Sequence, residues 1–165
     1  MIALLARLRR DQRGVATIEF GLISVLFFAV ISGALDIGIW YQHRLRLDSA
    51  VEQGGVAAFN QRSAVDANAI GTFVAAASQL STAPTVTVTC NGATCVNSGR
   101  TSKCLGGTSG DPTFTNPVAS LCLDGSLPGY YMVIKAVASS SSVVVPIARF
   151  GGSMTQTSRA IVRLQ

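Results

Sequence analysis

The residues with the clearest chemical potential are a glycine and a glutamate at the start of an apolar segment. Gly14 ends a basic leader that contains Arg9, Arg10 and Arg13, and Glu19 lies five positions after the glycine. An ionised carboxylate in bilayer hydrocarbon costs roughly 2.5 to 3.5 kcal/mol even on insertion scales. We therefore expect Glu19 to have a charged partner or a specific task, and its distance from Gly14 indicates where to look for it.

Four cysteines form a second group with possible chemistry. They lie in a stretch rich in glycine, serine, threonine and asparagine, and they are Cys90, Cys95, Cys104 and Cys122. An even number in an exported region predicts two disulfides, each contributing about 2 to 4 kcal/mol, with three pairings open. The intervals of 4, 8 and 17 residues do not make two close pairs, and no histidine is near, so we expect no metal site.

The sequence contains no convincing set of catalytic residues. His43 is the single histidine and lies among arginines next to the apolar segment, so we expect it to be solvated or to contact lipid headgroups. The glycine-rich run at 106–110 lacks the lysine of a phosphate loop. The acidic residues after position 42 do not follow calcium-loop spacing. We predict that the protein is not an enzyme and uses no cofactor.

A membrane span is the element that must position Glu19. From Val15 to Tyr41 the only charged residues are Glu19 and Asp36. A helix over residues 15–41 rises about 40 Å, enough to cross a hydrocarbon core of about 30 Å. The leader is more basic than the other flank, so we expect a cytoplasmic N-terminus and a head, residues 42–165, on the periplasmic or extracellular side.

Small residues recur at four-residue spacing within this span. The pairs are Ala29 with Gly33 and Ala34 with Gly38. Such pairs let a second helix approach closely, although they also arise by chance in apolar helices. We expect this face to be a packing surface in the lipid bilayer.

The head is predicted to be α+β, with helices followed by a small antiparallel sheet. Helical patterns cover about 42–60 and 64–80, the second with Ser63 as N-cap and Asp66 in a capping box. The expected helical core residues are Leu45, Ala50, Val51, Gly54, Ala57 and Ala58, then Val65, Ile70, Phe73, Val74, Ala77 and Leu80. From about residue 85 the period changes, and strands are expected at 85–90, 130–138, 143–147 and 153–164, with Pro146 demoting the third to an edge or loop.

The net charge does not indicate a nucleic-acid partner. The chain carries +5, but residues 1–14 contribute four arginines and one aspartate, so without them the charge falls by three to +2. The remaining lysines and arginines form no basic stripe interleaved with aromatic residues. We therefore expect no nucleic acid among the partners.

The N-terminal pattern resembles the class III signal of type IV pilins and pseudopilins. Its run Arg13-Gly14-Val15-Ala16-Thr17-Ile18-Glu19-Phe20, followed by a long apolar helix and a small head, is most similar to the TadE-like pseudopilins of the tight-adherence (Flp) pilus. The ending Arg159 to Gln165 also resembles such proteins, whereas residues 82–128 match no family pattern.

This resemblance implies a pilin-like fold, in which the long N-terminal helix is half transmembrane span and half spine of the head. It also implies a specific processing step. A prepilin peptidase would cut after Gly14, where the absence of a side chain eases access to the backbone, and Val15 would gain a free amine. Glu19 would pair with that amine on its own chain or a neighbour. The implied partners are the major Flp pilin, other minor pseudopilins and the inner-membrane assembly platform, and the implied location is the bacterial inner membrane or the pilus.

Two other interpretations of the N-terminus remain open. It could be a conventional secretory signal cut near Ser32-Gly33-Ala34, although Glu19 would then interrupt its uncharged core. It could also be an uncleaved anchor of a periplasmic binding or adhesin domain, with Glu19 reaching towards the interface.

Overall fold

The structure is a computed structural model that describes residues 13–108, 110–140 and 154–165, with side chains from residue 16 onward. Most of the predicted leader, the predicted strand at 143–147 with Pro146, and Gly151-Gly152-Ser153 lie outside the described residues. The elements in chain order are α1 (Arg13–Asn60), α2 (Ala67–Ala77), β1 (Thr85–Cys90), β2 (Cys104–Thr108), β3 (Asp111–Thr115), β4 (Tyr131–Ser140) and β5 (Met154–Arg163). A long apolar helix, a second helix and a small antiparallel sheet confirm the predicted α+β class.

Helix α1 is one uninterrupted element of 48 residues, about 72 Å long. No proline occurs between Arg13 and Asn60, so nothing removes a helical hydrogen bond along its length. Its second half forms the spine of the head through a buried stripe of Leu47, Ala50, Val51 and Ala58. Leu45, predicted to lie on this stripe, is half exposed, and Leu47 is buried instead because it follows the three- and four-residue spacing of the stripe.

The second helix begins later than its sequence pattern predicts. Asp66, not Ser63, is the N-cap, and its carboxylate accepts hydrogen bonds from the amides of Asn68 and Ala69, both at 3.0 Å. The predicted capping box is therefore wrong, because the acid that was assigned to its third position occupies the cap itself. Ile70 and Val74 are buried as expected, whereas Phe73 remains 44% exposed.

A three-stranded antiparallel sheet, in the order β1-β4-β5, receives both helices on one face. Val88 lies opposite Ile134, which lies opposite Ala160, so these three positions share that face. The central strand contributes Met132 and Ile134, whose side chains are fully buried. The core of the head thus lies between this sheet face, α2 and the second half of α1.

Strands β2 and β3 form a separate hairpin that the sequence pattern did not reveal. They belong to the long connection between β1 and β4, and the burial of β2 is confined to Cys104. A strand with two glycines and one buried position gives no alternating signal. Gly107 has a φ of +79°, and a Cβ there would meet the backbone of Asp111, so this position requires glycine.

Close contact between the two helices depends on Gly54. A Cβ at this position would overlap Val74 and lie 3.4 Å from Ile134 Cδ1. By contrast, a Cβ at Gly71 of α2 would make an ordinary contact of 3.9 Å with Val88 Cγ2. A side chain at Gly54 would therefore clash with packed neighbours, whereas a side chain at Gly71 would fit and would mainly lower the backbone entropy of the unfolded chain.

We expect Gly54→Ala to destabilise the head by up to about 2 kcal/mol, because overpacking of about 1 to 3 kcal/mol outweighs a helix-propensity gain of about 1 kcal/mol. Gly71→Ala is the matched control and should stabilise by about 0.5 to 1 kcal/mol. Guanidinium unfolding of the purified chain in detergent, followed by near-ultraviolet circular dichroism, measures both. Equal effects of the same sign would contradict the packing described.

The position of the second helix cap gives another test. Asp66→Ala should cost about 1 kcal/mol, since two amide donors of α2 lose their acceptor, whereas Ser63→Ala should change stability by less than about 0.5 kcal/mol. The urea unfolding midpoints of the two variants decide between them. A larger loss for Ser63→Ala would support the capping box predicted from the sequence.

Candidate assembly surface on the N-terminal helix

The first half of α1 presents apolar side chains that nothing in the described chain covers. An 18-residue window of this helix has a mean hydropathy of 2.3, and none of that window is buried. Its large exposed side chains include Ile18, Phe20, Leu22, Ile23, Val25, Leu26, Phe27, Phe28 and Val30. By length and composition the helix can cross a membrane, and an N-terminal signal sequence passes the same test. A bare apolar helix of this kind is consistent with a membrane anchor.

Glu19 is the one carboxylate in the first two turns after Gly14. The backbone is helical at Gly14, Val15 and Glu19, so Glu19 stands one turn above Val15. Side chains in a helix tilt towards its N-terminus, which directs Glu19 towards the backbone of residue 15. Its side chain is exposed, and no cation lies within ion-pair distance of it among the side chains described from residue 16 onward.

The predicted small-residue face is open in the structure. Ala29 and Ala34 are exposed, and a Cβ placed at Gly33 or Gly38 would meet no atom within 4 Å. The four residues leave room for another helix, and packing of such a helix against them stays a prediction.

The end of the head nearest the apolar half of α1 is joined to that helix by Gln156. This side chain is 5% exposed, and its Nε2 donates to the Trp40 carbonyl at 3.1 Å. The Arg44 guanidinium lies 5.9 Å from the centre of the Trp40 ring. His43 lines a cavity of about 130 Å³ with serine and threonine side chains and Gln156, and among the described residues no carboxylate lines this cavity that could orient the imidazole as a catalytic base. Gln156 carried no recognisable signal in the sequence.

The other end of the spine helix is held by Arg100 and Asn97. Arg100 donates to the carbonyls of Arg62 and Ser63 just beyond α1, and to Asn97 Oδ1 at 2.9 Å. Asn97 also exchanges two hydrogen bonds with the Val65 backbone, at 2.8 and 3.0 Å. These contacts satisfy carbonyls that follow the helix, and a cation is favourable near a helix C-terminus. The bonds to the backbone of Arg62, Ser63 and Val65 join residues 32 to 38 positions apart, which no local pattern in the sequence indicates.

Both disulfides lie in the connection between β1 and β4. Cys90 is joined to Cys95 and Cys104 to Cys122, which selects one of the three pairings left open by the sequence. Cys90 belongs to the core, and Val96, the residue after Cys95, donates its amide to the Tyr130 hydroxyl at 3.0 Å. No group of three or more possible metal ligands occurs among residues 13–108, 110–140 and 154–165.

The sequence comparisons concern the same helix. The family model described as TadE-like protein matches residues 14–56, which begin at Gly14 and end in the spine of the head. Comparison with curated proteins and with solved structures gives no match. The matched segment contains Gly14, Glu19 and the small-residue face, and it leaves the sheet and its long connection outside. The N-terminal helix of this chain is thus similar to that of TadE-like proteins, and this match confirms the resemblance predicted from the sequence.

Proposed function

We propose that this chain is a minor pseudopilin of a tight-adherence pilus, held in the bacterial inner membrane before assembly. A TadE-like family match associates it with this pilus system in general, and its specific place in the system is our proposal. The observation that carries the proposal is the division of α1. Its first half has a bare apolar surface, while Leu47 to Ala58 pack into a head that has no catalytic constellation among its described residues.

The proposed processing step is hydrolysis of the peptide bond after Gly14 by a prepilin peptidase. The cut would leave Val15 with a free ammonium at the membrane surface, one helical turn from Glu19. A carboxylate and an ammonium at this spacing can neutralise each other, which reduces the cost of placing either charge in an apolar environment. The negative charge is also favourable near the positive end of the helix dipole.

In assembly, the same carboxylate would pair with the Val15 ammonium of its own chain or of an adjacent subunit. The partners on this proposal are the major Flp pilin, other minor pseudopilins and the inner-membrane assembly platform, with the lipid bilayer as the initial solvent. The head would lie on the periplasmic side and could be carried into the extracellular pilus, in adherence or biofilm formation. The role is structural and not enzymatic.

The charge-pairing proposal is tested by Glu19→Gln, which removes the charge and keeps the side-chain shape. Processing should continue, because the bond after Gly14 is unchanged, whereas surface pili should fall at least tenfold. The matched control is Glu52→Gln, an exposed glutamate on the same helix beyond the predicted span. Immunoblots of processing and electron microscopy of sheared pili give the two readouts. Normal piliation with Glu19→Gln would remove the pairing role.

The alternative is an uncleaved, membrane-anchored binding or adhesin domain. Its support is the exposure of large apolar side chains on the head, namely Val118, Leu123 and Leu127. An anchored domain of this kind would keep its leader, so the same immunoblots separate the two functions. Persistence of the unprocessed chain in cells with an active peptidase would favour the alternative.

A further inference from the structure

A polar cavity lies where the head meets the apolar half of α1. Its volume of about 130 Å³ is enough for several water molecules or a small polar group. Its buried lining residues are Gln156 of β5 and Ala138 of β4, which lie opposite each other in the sheet. The exposed residues around it carry hydroxyl groups and are Ser81, Thr82 and Ser139. The cavity thus has a buried amide at its base and hydrogen-bonding groups at its rim.

The buried amide of Gln156 is only partly satisfied. Its Nε2 donates to the Trp40 carbonyl at 3.1 Å, and because a carbonyl can only accept, the amide oxygen points elsewhere. That oxygen, Oε1, is buried and has no donor among the described residues. The indole Nε1 of Trp40, on the residue that Gln156 binds, is also buried and has no acceptor. Buried polar atoms without partners destabilise a fold, so this junction favours a ligand that supplies both a donor and an acceptor.

Hydroxyl groups meet this requirement better than an ammonium group does. A hydroxyl donates one hydrogen and accepts through its lone pairs, so a group with two hydroxyls can serve both Gln156 Oε1 and Trp40 Nε1. An ammonium group donates but cannot accept. No carboxylate among the described residues lines the cavity to balance its charge. The chemistry therefore favours a glycerol group over an ethanolamine group.

Two arginines flank the cavity on α1. Successive residues of a helix are about 100° apart, so Arg44 and Arg46 project on either side of the face that carries His43. Both arginine side chains are exposed. Arg44 Nε is 3.9 Å from an Asp48 carboxylate oxygen, whereas Arg46 has no ion pair within the described part of the chain. The local charge thus favours an anionic group beside the cavity.

The expected depth of the cavity matches the layer of lipid headgroups. The apolar run of α1 ends at Trp40 and Tyr41, two residue types that concentrate at membrane interfaces. His43 follows Trp40 by less than one helical turn, a rise of about 4.5 Å. With the apolar half of α1 in the bilayer, as in our proposed function, the cavity would face the phosphates of the periplasmic leaflet.

We propose that this cavity binds the glycerol headgroup of an anionic phospholipid, phosphatidylglycerol, with its hydroxyls at Gln156 and its phosphate beside Arg44 or Arg46. The acyl chains would lie along the apolar half of α1. Such a lipid would hold the head at a fixed depth on the bilayer until the subunit leaves it. The inference rests on the membrane residence in our proposed function, which the anchored alternative shares, and not on cleavage after Gly14.

The test is native mass spectrometry of the full-length chain released from detergent micelles, with one probe added at a time. The probes are phosphatidylglycerol, phosphatidylethanolamine, phosphatidic acid, which has a phosphate but no glycerol headgroup, and soluble glycerol 3-phosphate. We expect the phosphatidylglycerol adduct to be at least fivefold more abundant than any other. Equal adducts with phosphatidic acid would mean that the arginines attract phosphate without the cavity. That result, a stronger phosphatidylethanolamine adduct, an equal glycerol 3-phosphate adduct or no adduct would overturn the proposal.

Two variants connect this preference to the cavity. Gln156→Met replaces the buried amide with an apolar side chain of similar size, and the preference for phosphatidylglycerol over phosphatidic acid should fall below twofold. Ser81→Trp should block the rim from an exposed position and reduce the phosphatidylglycerol adduct at least fivefold. The matched control is Ser63→Trp, at an exposed serine near the other end of the head, which should leave the adduct unchanged.

Near-ultraviolet circular dichroism reports whether each variant is folded, and Ser81→Trp decides the question if Gln156→Met does not fold. A lipid preference that survives Ser81→Trp in a folded chain would contradict the proposal. The readouts also separate this inference from the proposed function. A chain that begins at Val15 and supports pili but shows no lipid preference would refute the lipid site alone, and a lipid-binding chain that keeps its leader would refute only the pseudopilin role.

Discussion

The continuity of α1 is the constraint on which the rest of the structure depends. One set of helical hydrogen bonds runs from the bare apolar half to the half buried in the head, without a proline to interrupt it. The head holds its half of this helix at both ends, through Gln156 near Trp40 and through Arg100 beyond Asn60. Between them, Gly54 allows α2 to pack closely. An axial displacement of the apolar half is therefore transmitted directly to the head.

Under our proposal the two halves of α1 meet different solvents, lipid and water, which would explain the placement of charge. The head half is amphipathic, with a narrow buried stripe and polar groups such as Glu52 on other faces. The first half is apolar on all sides, so a carboxylate at Glu19 is costly there unless a cation accompanies it. Under our proposal that cation does not exist in the precursor and is created by cleavage before Val15. The same residue is then unfavourable before processing and useful after it.

The sequence predicts the parts of the fold that have a local period. The apolar run, the alternation of β1 and the β-rich segments of β4 and β5 all follow from it, and the motif around Gly14 and Glu19 leads to the matched family. The hairpin β2-β3 could not be predicted from the sequence, because β2, with its two glycines, shows no alternating pattern. The sequence also did not predict the roles of three polar side chains, Arg100, Asn97 and Gln156. They bind backbone groups far along the chain, which only the folded structure brings near.

The central claim is that the charge at Glu19 acquires its partner when the leader is removed. The most direct measurement is the N-terminal residue of the protein isolated from its own cells, obtained from the intact mass and from N-terminal peptides. The account predicts a mature chain that begins at Val15, with Glu19 as its fifth residue. A chain that still begins at Met1, or one that begins at Leu35 after a conventional signal cleavage, would contradict it.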